Sequence, residues 1–353
     1  MTVNESDFGQ MTMKVMRLSA FGGPEVFESA VVDLPTPDPH EFLVRVAACG
    51  VCGHDVLSRT GQLSATIGGV LGHEISGRVH SVGSPNLAEW VGKRVALVQR
   101  RPCGACAECE AGLTSHCRNG PGFYGDDVQG GYAEFVIASP LNAVEVPDSI
   151  DDVTASVLSC AVGTGLHALR QAEVGGSDVV LITGAGGGVG THAVQLASLL
   201  GVRVIATTSS AGKVDKIREA GADVVLVNPT SLQIRAATTG LGRPRGADAC
   251  LEITGAPQFA TSLRSLAPRG RLVLIGNVVP GMLELDPGLT ILKELRILGS
   301  AHANRDELAD VIDLVASGKI RPVVSQTFSL DEISHAHLAH DANQNTGRIV
   351  LIP

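Results

Sequence analysis

Aromatic residues are scarce in this 353-residue chain, at 3% with a single Trp. Proteins that bind single-stranded nucleic acid stack the bases on aromatic side chains, so this composition argues against such a surface. Positive charge is also in the minority, since 27 Lys and Arg face 36 Asp and Glu and leave a net charge of −9. That balance disfavours a nucleic-acid or anionic-membrane surface, which needs clustered cations.

Long apolar runs are missing as well. No stretch approaches the roughly 18 apolar residues that a bilayer-spanning helix needs, so we expect no membrane association. Residues 1–10 lack the basic and then apolar pattern of a signal peptide and are predicted to form a loose leader. The expected compartment is the cytoplasm, where the eight cysteines are reduced thiols or metal ligands and not disulfides.

The length and the residue patterns predict an α/β protein of two domains. Over residues 14–146, short strand-like runs alternate with Pro and Gly turns, which is typical of a compact β-rich domain. A helix is predicted over residues 151–172, and strands and helices then alternate, with a helix at 191–200. Such alternation predicts a parallel sheet covered by helices on both faces. A closing strand at 348–352 is predicted to return to the first domain.

A glycine-rich turn follows the predicted strand at 179–183 and precedes a predicted helix. In this context glycines permit a tight turn and let a pyrophosphate approach the free amides at the helix N-terminus. A glycine-rich turn without a ligand is the alternative. The predicted coenzyme-binding residues here are Gly184, Gly186, Gly187, Gly188, Val189 and Gly190.

The end of the next strand indicates which coenzyme binds. NAD sites usually carry an acidic residue there to bind the ribose hydroxyls. This chain instead has Thr208, Ser209, Ser210 and then Lys213, with no carboxylate before Asp215. Hydroxyls and a cation suit a 2′-phosphate, so NADP(H) is predicted in preference to NAD(H). The alternative is that these residues only form a turn and a helix cap.

Four cysteines lie within fifteen residues of one another. Four thiolates can surround one tetrahedral zinc ion and leave no coordination position open, which is the pattern of a structural site. Free thiols or an iron centre are the alternatives. The predicted ligands are Cys103, Cys106, Cys109 and Cys117.

A second set of ligand-type residues is spread along the chain and includes Cys52, His73 with Glu74, and Cys160. Two thiolates and an imidazole can hold a zinc ion that keeps one position open for a substrate oxygen. Spacing alone makes this a weak signal, because isolated His and Cys residues are more often structural.

Together these features resemble the zinc-containing medium-chain dehydrogenase/reductase family, of the alcohol dehydrogenase kind. The resemblance covers residues 13–353. The segments that carry it are 49–55 (Cys-Gly-Val-Cys-Gly-His-Asp), 72–74 (Gly-His-Glu), 159–160 (Ser-Cys), the cysteine-rich lobe and the glycine-rich turn.

The resemblance implies a GroES-like catalytic domain over residues 1–155, with a structural-zinc lobe at 100–120. It implies a Rossmann-type coenzyme domain over residues 156–298, and a segment, 299–353, that returns to the catalytic domain. Each subunit is then expected to bind two zinc ions, one catalytic and one structural. Pairing of two subunits at the edge of the parallel sheet implies a homodimer or homotetramer.

The resemblance also assigns roles. Cys52, His73 and Cys160 are expected to hold the catalytic zinc. Glu74 lies beside the metal, and Asp55 is expected to orient the ligating imidazole, unless it is an ordinary surface carboxylate.

One position departs from the family. His54 stands where the family usually has Ser or Thr to carry the substrate proton, and Leu57 stands where some members have a His. An imidazole can serve as acid or base near neutral pH, so His54 is a candidate proton donor. The alternative is that His54 only lines the pocket.

Other segments look like the quinone and enoyl reductase branch, namely 21–26, 59–61 and the glycine-rich turn itself. The leading prediction is a zinc-dependent oxidoreductase that transfers hydride between NADP(H) and a carbonyl or alcohol. A reductase of conjugated C=C bonds is the second prediction. A zinc protein that senses NADPH without turnover is the third.

Overall fold

The computed structural model describes residues 11–353. The predicted leader, residues 1–10, lies outside the described residues. The fold divides into two units. The first comprises the described residues up to Ser156, together with Gln326–Asp341 and Ile349–Pro353. The second comprises Val157–Ser325 and Ala342–Arg348.

The described chain contains strands throughout, and they alternate regularly with helices only in its second half. The strands are β1 Thr12–Leu18, β2 Phe27–Asp33, β3 Phe42–Val51, β4 Glu74–Val82, β5 Arg94–Leu97, β6 Arg100–Arg101, β7 Gly122–Phe123, β8 Phe135–Ala138, β9 Ala143–Glu145, β10 Val179–Ile182, β11 Arg203–Thr208, β12 Val224–Val227, β13 Ala247–Glu252, β14 Leu266–Leu274, β15 Arg296–Gly299, β16 Val324–Ser329 and β17 Arg348–Ile352. The helices are α1 Gly53–Arg59, α2 Ala107–Glu110, α3 Asp152–Ser156, α4 Gly163–Gln171, α5 Gly188–Leu199, α6 Val214–Glu219, α7 Ser231–Gly240, α8 Ala256–Ser265, α9 Pro287–Lys293, α10 Arg305–Ala316 and α11 Ile333–Asp341.

The first unit is built on an antiparallel sheet in the order β16-β17-β3-β4-β5-β9, with β8 also paired to β3. Strand β3 is nearly all apolar, and its residues Phe42, Val44 and Val51 are fully buried. They join Ile75 and Leu97 in one continuous core. The last strand pairs with β3, with Ile349 opposite Val51. This core fixes the end of β3, where the ligand-type residues begin.

The second unit is a parallel sheet in the order β12-β11-β10-β13-β14-β15. Val179, Leu181 and Cys250 on its central strands are buried in a core separate from that of the first unit. Successive strands run outward from β10 on one side and from β13 on the other, so the order reverses between them. In open α/β sheets, ligands bind at the carboxyl ends of the strands where the order reverses. The predicted α/β class with a β-rich domain and a Rossmann-type sheet is confirmed.

Two predicted helices differ from those observed. Residues 151–172 do not form one helix, because a π-helical turn, Leu158–Val162, separates α3 from α4. All five residues of this turn are buried, so no polar face marks it in the sequence. Helix α5 begins at Gly188 and not at residue 191. Gly188 and Gly190 have low helix propensity, so the sequence predicts a later start for helix α5. Tertiary contacts override this propensity.

Within residues 11–353, no helix combines the length and the apolar character that crossing a bilayer requires.

Candidate functional site

The first ligand-type residue lies where strand β3 gives way to helix α1. Cys52 is the residue that caps the helix, and its backbone N–H donates to Oδ2 of Asp55 over 2.8 Å. An acidic side chain in the first turn satisfies a free amide and suits the positive end of the helix dipole. The local sequence therefore fixes Cys52 and Asp55 in one turn, with both side chains buried.

Asp55 also holds His73. Nδ1 of His73 lies 3.1 Å from Oδ1 of Asp55, and the hydroxyl of Tyr132 donates to Oδ2 over 3.0 Å. An ionised carboxylate only accepts, so Nδ1 carries the hydrogen and Nε2 is left to bind a metal. All three residues are buried, which rules out the alternative of Asp55 as a surface carboxylate. The contact with His73 has the geometry that an orienting role needs, and that role in metal binding stays a prediction.

The two partners shift each other's pKa. Burial acts to lower the pKa of His73, but the charge of Asp55 and its hydrogen bond raise it well above the usual value. Burial likewise acts to raise the pKa of Asp55, and the charge and hydrogen bond of His73 lower it. Metal binding at Nε2 requires the neutral ring, so it is coupled to pH.

Three donor atoms of the first unit converge. The sulfur of Cys52, a ring nitrogen of His73 and a carboxylate oxygen of Glu74 lie within 4.8 Å of one another. Glu74 is fully buried, and its side chain lies across Gly50, where any Cβ would collide with it. A thiol, an imidazole and a carboxylate are all zinc ligands, so these residues fit the metal that the sequence predicts.

Cys160 lies in the second unit, on the π-helical turn Leu158–Val162, and is buried there. The guanidinium of Arg348 donates to its sulfur over 3.5 Å. A nearby cation favours the thiolate form that a metal requires. The role of Cys160 as a zinc ligand stays a prediction.

His54 follows Cys52 by two residues, and its side chain is about one-third exposed. Nε2 of His54 lies 2.8 Å from Oδ2 of Asp126, a contact that the sequence did not predict. The imidazole also packs on the ring of Phe123 and, edge to face, on that of His73, with centroid distances of 5.0 and 5.1 Å. His54 is thus a partly exposed imidazole beside a candidate ligand.

The four lobe cysteines form a compact cluster, with their sulfur atoms within 4.8 Å of one another. The sulfur of Cys106 lies 3.5 Å from that of Cys109 and 3.8 Å from that of Cys117, and the sulfurs of Cys103 and Cys109 are 4.0 Å apart. Tetrahedral zinc with Zn–S bonds of about 2.3 Å places its sulfur atoms roughly 3.8 Å apart. The cluster therefore fits zinc, and it holds no disulfide.

Within the lobe, the thiolate character of Cys117 has a local cause. Burial acts to raise the pKa of Cys117, but backbone N–H groups of Cys103 and Asn119 and neighbouring thiols lower it to about 6. The N–H of Cys103 lies 3.2 Å from the sulfur of Cys117. Cys117 is thus ready to bind a cation near neutral pH.

In the second unit the glycine-rich turn joins β10 to α5, at the carboxyl ends of the parallel strands. Gly184 has a φ of +59°, which other residues rarely adopt. Its carbonyl oxygen occupies the space that a side chain at Gly190 would need. Similarly, a side chain at Gly186 would collide with the aliphatic part of Lys213, and a side chain at Gly188 would collide with the guanidinium of Arg348. Two cations therefore border the turn.

Lys213 is almost completely buried, and burial lowers its pKa, as does the nearby Lys216. Its ammonium group donates to Oδ1 of Asn343 over 3.0 Å. Among the ion pairs of the described residues, none pairs Lys213 with a carboxylate. An amide oxygen does not neutralise a cation, so a phosphate is a chemically suitable partner for Lys213.

The hydroxyl residues before Lys213 differ in their surroundings. Thr208 ends strand β11, is buried, and accepts a hydrogen bond from the N–H of Ser210 over 3.2 Å. Ser209 is exposed and Ser210 is half-buried. Val189 lies in the first turn of α5. Contact of these residues with a coenzyme stays a prediction.

Sequence reasoning missed Asp126, Tyr132 and Glu252. Asp126 and Tyr132 lie 72 and 77 positions from the residues that they contact, so no local pattern reveals them. Glu252 is buried at the end of β13 and accepts from the N–H groups of Thr254 and Gly255, over 2.9 and 3.1 Å. It fixes the loop beside the glycine-rich turn. In the sequence, Glu252 could have been noticed as a charged residue at the end of an otherwise apolar strand.

Comparison with known proteins gives two family matches. Residues 38–148 match "Alcohol dehydrogenase GroES-like domain" and residues 188–317 match "Zinc-binding dehydrogenase". The acryloyl-coenzyme A reductase of Metallosphaera sedula is 31% identical over 94% of this chain and 97% of its own length. The NAD-dependent alcohol dehydrogenase of Sulfolobus acidocaldarius is 32% identical over 96% of this chain and 99% of its own. The crystal structure of AibC superposes with a TM-score of 0.90 and 39% identity, covering 100% of this chain and 99% of that one.

The cysteine cluster predicts a specific loss of metal. Replacing Cys103→Ser should remove about one zinc ion per chain, because three thiolates hold zinc less tightly than four. Elemental analysis of the purified protein measures this. Cys250→Ala is the control, since Cys250 is buried in the second core away from both ligand sets, and it should keep all the metal. Equal zinc content in the two variants would contradict the prediction.

Proposed function

Because this chain belongs to the zinc-type medium-chain dehydrogenase/reductase family and is an alcohol dehydrogenase-like oxidoreductase, we propose that it transfers hydride between NADP(H) and a carbonyl or alcohol with the help of a catalytic zinc ion. The observation that carries the proposal is the buried hydrogen bond from His73 to Asp55, which leaves Nε2 of His73 available beside the thiol of Cys52.

The residues of the first unit prepare the site. Asp55 fixes the tautomer and the direction of the His73 ring, and Tyr132 and the amide of Cys52 keep Asp55 in place. Glu74 supplies a further oxygen at the same point. A zinc ion held by such residues supplies Lewis acidity that polarises a carbonyl oxygen or acidifies an alcohol. Cys160 is proposed to complete the ligand set.

His54 is proposed to handle the substrate proton. Its ring is partly exposed, lies beside His73 and has a carboxylate at Nε2, so a substrate oxygen can approach Nδ1. In the direction of alcohol oxidation Nδ1 accepts the hydroxyl proton, and in the direction of reduction it returns one. His54 is thus proposed to replace the Ser or Thr hydroxyl that members of the family usually have at this position.

The second unit is proposed to bind the coenzyme, which supplies or takes up the hydride when bound. The amides at the start of α5 suit its pyrophosphate, and Arg348 lies against Gly188 at that point. Lys213, a buried cation beside Gly186, supports a 2′-phosphate and hence NADP(H). The name of the Sulfolobus relative supports NAD instead, so the preference needs a direct test.

A homodimer or homotetramer is proposed through the edge strand β15. The edge of a parallel sheet presents unpaired backbone groups that a second strand can satisfy. Ile291 and Leu292 on the preceding helix α9 are 72 and 86% exposed. Exposed apolar side chains of this kind are typical of a surface that a second subunit covers.

The second candidate function is reduction of a C=C bond conjugated to a carbonyl. It is favoured by the acryloyl-coenzyme A reductase of Metallosphaera sedula, which is 31% identical over nearly the whole chain. The zinc ion that the same residues would hold would then polarise the carbonyl, hydride would add to the β-carbon and a proton from water to the α-carbon of the substrate.

Zinc dependence is the first test of the proposal. Dialysis against a strong chelator should abolish turnover of aldehydes and ketones, because Cys52, His73 and Glu74 then lack the ion that polarises the substrate. Added zinc should restore activity and added magnesium should not. NADPH binding, followed by fluorescence, should survive the treatment. Full turnover by metal-depleted protein would contradict the proposal.

The coenzyme preference predicts a second result. Thr208→Asp should weaken NADPH binding by on the order of tenfold and favour NADH, because a carboxylate repels a 2′-phosphate and binds ribose hydroxyls. Titration with each coenzyme measures the two affinities. Thr208→Ser keeps the hydroxyl that accepts from Ser210 and should bind as the unmodified protein does. An unaltered preference in the Asp variant would show that the end of β11 does not select the coenzyme.

The product of a conjugated aldehyde separates the two candidate reactions. We expect a 2-enal and NADPH to give the allylic alcohol, because the site is arranged around the carbonyl oxygen. Chromatography of the product decides the matter. A saturated aldehyde would establish the second candidate in place of the first.

A further inference from the structure

Asp126 stands in a turn that holds it rigidly. The carbonyl oxygen of Phe123 accepts from the N–H groups of Asp126, Asp127 and Val128 over 3.3, 2.9 and 3.1 Å. The N–H of Phe123 in turn donates to the side chain of Asp127 over 2.8 Å. Gly125, with a φ of +89°, completes the turn and packs on the backbone just before His73. The backbone position of Asp126 is therefore fixed by the turn.

Both oxygens of this carboxylate contact helix α1. Oδ2 lies 2.8 Å from Nε2 of His54, and Oδ1 accepts from the hydroxyl of Ser58 over 3.0 Å. His54 and Ser58 are four residues apart, so they lie on one face of the helix. The carboxylate is mostly buried, with 14% of its side chain exposed. A buried acceptor in fixed position holds a donor more strongly than a solvated one does.

This contact selects one tautomer of His54. A carboxylate offers no hydrogen, so Nε2 of His54 has to carry one, and in the neutral ring Nδ1 is then the acceptor. Among the described residues, Nδ1 of His54 has no hydrogen-bond partner. Phe123, which starts the turn, packs on the His54 ring with a centroid distance of 5.0 Å and limits its rotation.

We infer that Asp126 is a positioning residue for the reaction: it fixes the ring direction and the tautomer of His54 so that Nδ1 faces the substrate oxygen. The effect on turnover rests on the proposed function, whereas the tautomer does not. The substrate class that fits carries a hydroxyl which Nδ1 can bind, as in an alcohol or the product of carbonyl reduction. Asp126 itself touches no substrate.

The decisive variant is Asp126→Asn, measured in the zinc-loaded protein. The amide of Asn can donate to Nε2 of His54 and so favour the opposite tautomer without changing size. In a His–Asp pair of a serine protease the same exchange leaves the geometry intact and greatly reduces turnover. We expect kcat for alcohol oxidation to fall on the order of 10²-fold, with the KM of the coenzyme and the zinc content unchanged.

Ser58→Ala is the matched control. It removes the other hydrogen bond of the same carboxylate and leaves the contact with His54. We expect kcat to change by less than about threefold, in line with a hydrogen bond that acts only on stability. If Ser58→Ala lowered kcat as much as Asp126→Asn does, Asp126 would only fasten the turn to helix α1, and the inference would be wrong.

A spectroscopic measurement tests the inference apart from turnover. In protein labelled with ¹⁵N-histidine, two-bond couplings show which ring nitrogen carries the hydrogen, and His54→Ala assigns the signal. We expect hydrogen on Nε2 in the unmodified protein and on Nδ1 in Asp126→Asn. Hydrogen on Nδ1 in the unmodified protein would overturn the inference. The expected tautomers in a protein that turned over no carbonyl or alcohol would support the positioning and overturn the proposed function.

Discussion

The candidate site of the first unit depends on one buried carboxylate. Asp55 accepts hydrogen bonds from the amide of Cys52, the ring of His73 and the hydroxyl of Tyr132, which belong to three separate segments of the chain. An ion buried without such partners would cost several kcal/mol, so the three donors stabilise the arrangement in which these segments meet. The position of Cys52 relative to His73 is therefore fixed by the protein before any metal binds.

In the second unit, charged groups are held in place because two glycines have no side chain. At Gly186 and Gly188 the space that a Cβ would need is taken by the stem of Lys213 and the guanidinium of Arg348. The glycines thus serve to bring two cations against the start of helix α5, in addition to leaving room for a ligand. A helix N-terminus with its free amides already attracts anions. Adding cations at the same point strengthens the attraction for a phosphate.

Which features of the fold and the site the sequence could predict depends on how far apart along the chain the residues of each feature lie. The four lobe cysteines and the glycine-rich turn each lie within one short segment, so their spacing and flanking strand were enough to find them. Cys52, His73 and Cys160 became a convincing set only through the resemblance to a family. The fold class followed from the change of pattern near residue 147.

The remaining features depend on contacts that no local pattern encodes. Asp126 meets His54 across 72 positions, and Tyr132 meets Asp55 across 77. The π-helical turn Leu158–Val162 adds one residue to a run that otherwise reads as a continuous helix. Residues of such a turn project in other directions than they would from a regular helix, and Cys160 is one of them. Only the folded chain shows this.

The first unit contains two His–Asp pairs, and burial separates their roles. The side chains of His73 and Asp55 are both 2% exposed, whereas His54 is 34% exposed and Asp126 14%. In each pair the carboxylate decides which ring nitrogen carries the hydrogen. The buried pair can exchange nothing with solvent and so suits a fixed ligand. The pair of His54 and Asp126, with the ring centroid of His54 5.1 Å from that of His73, is open enough to solvent for the proton transfer that we propose.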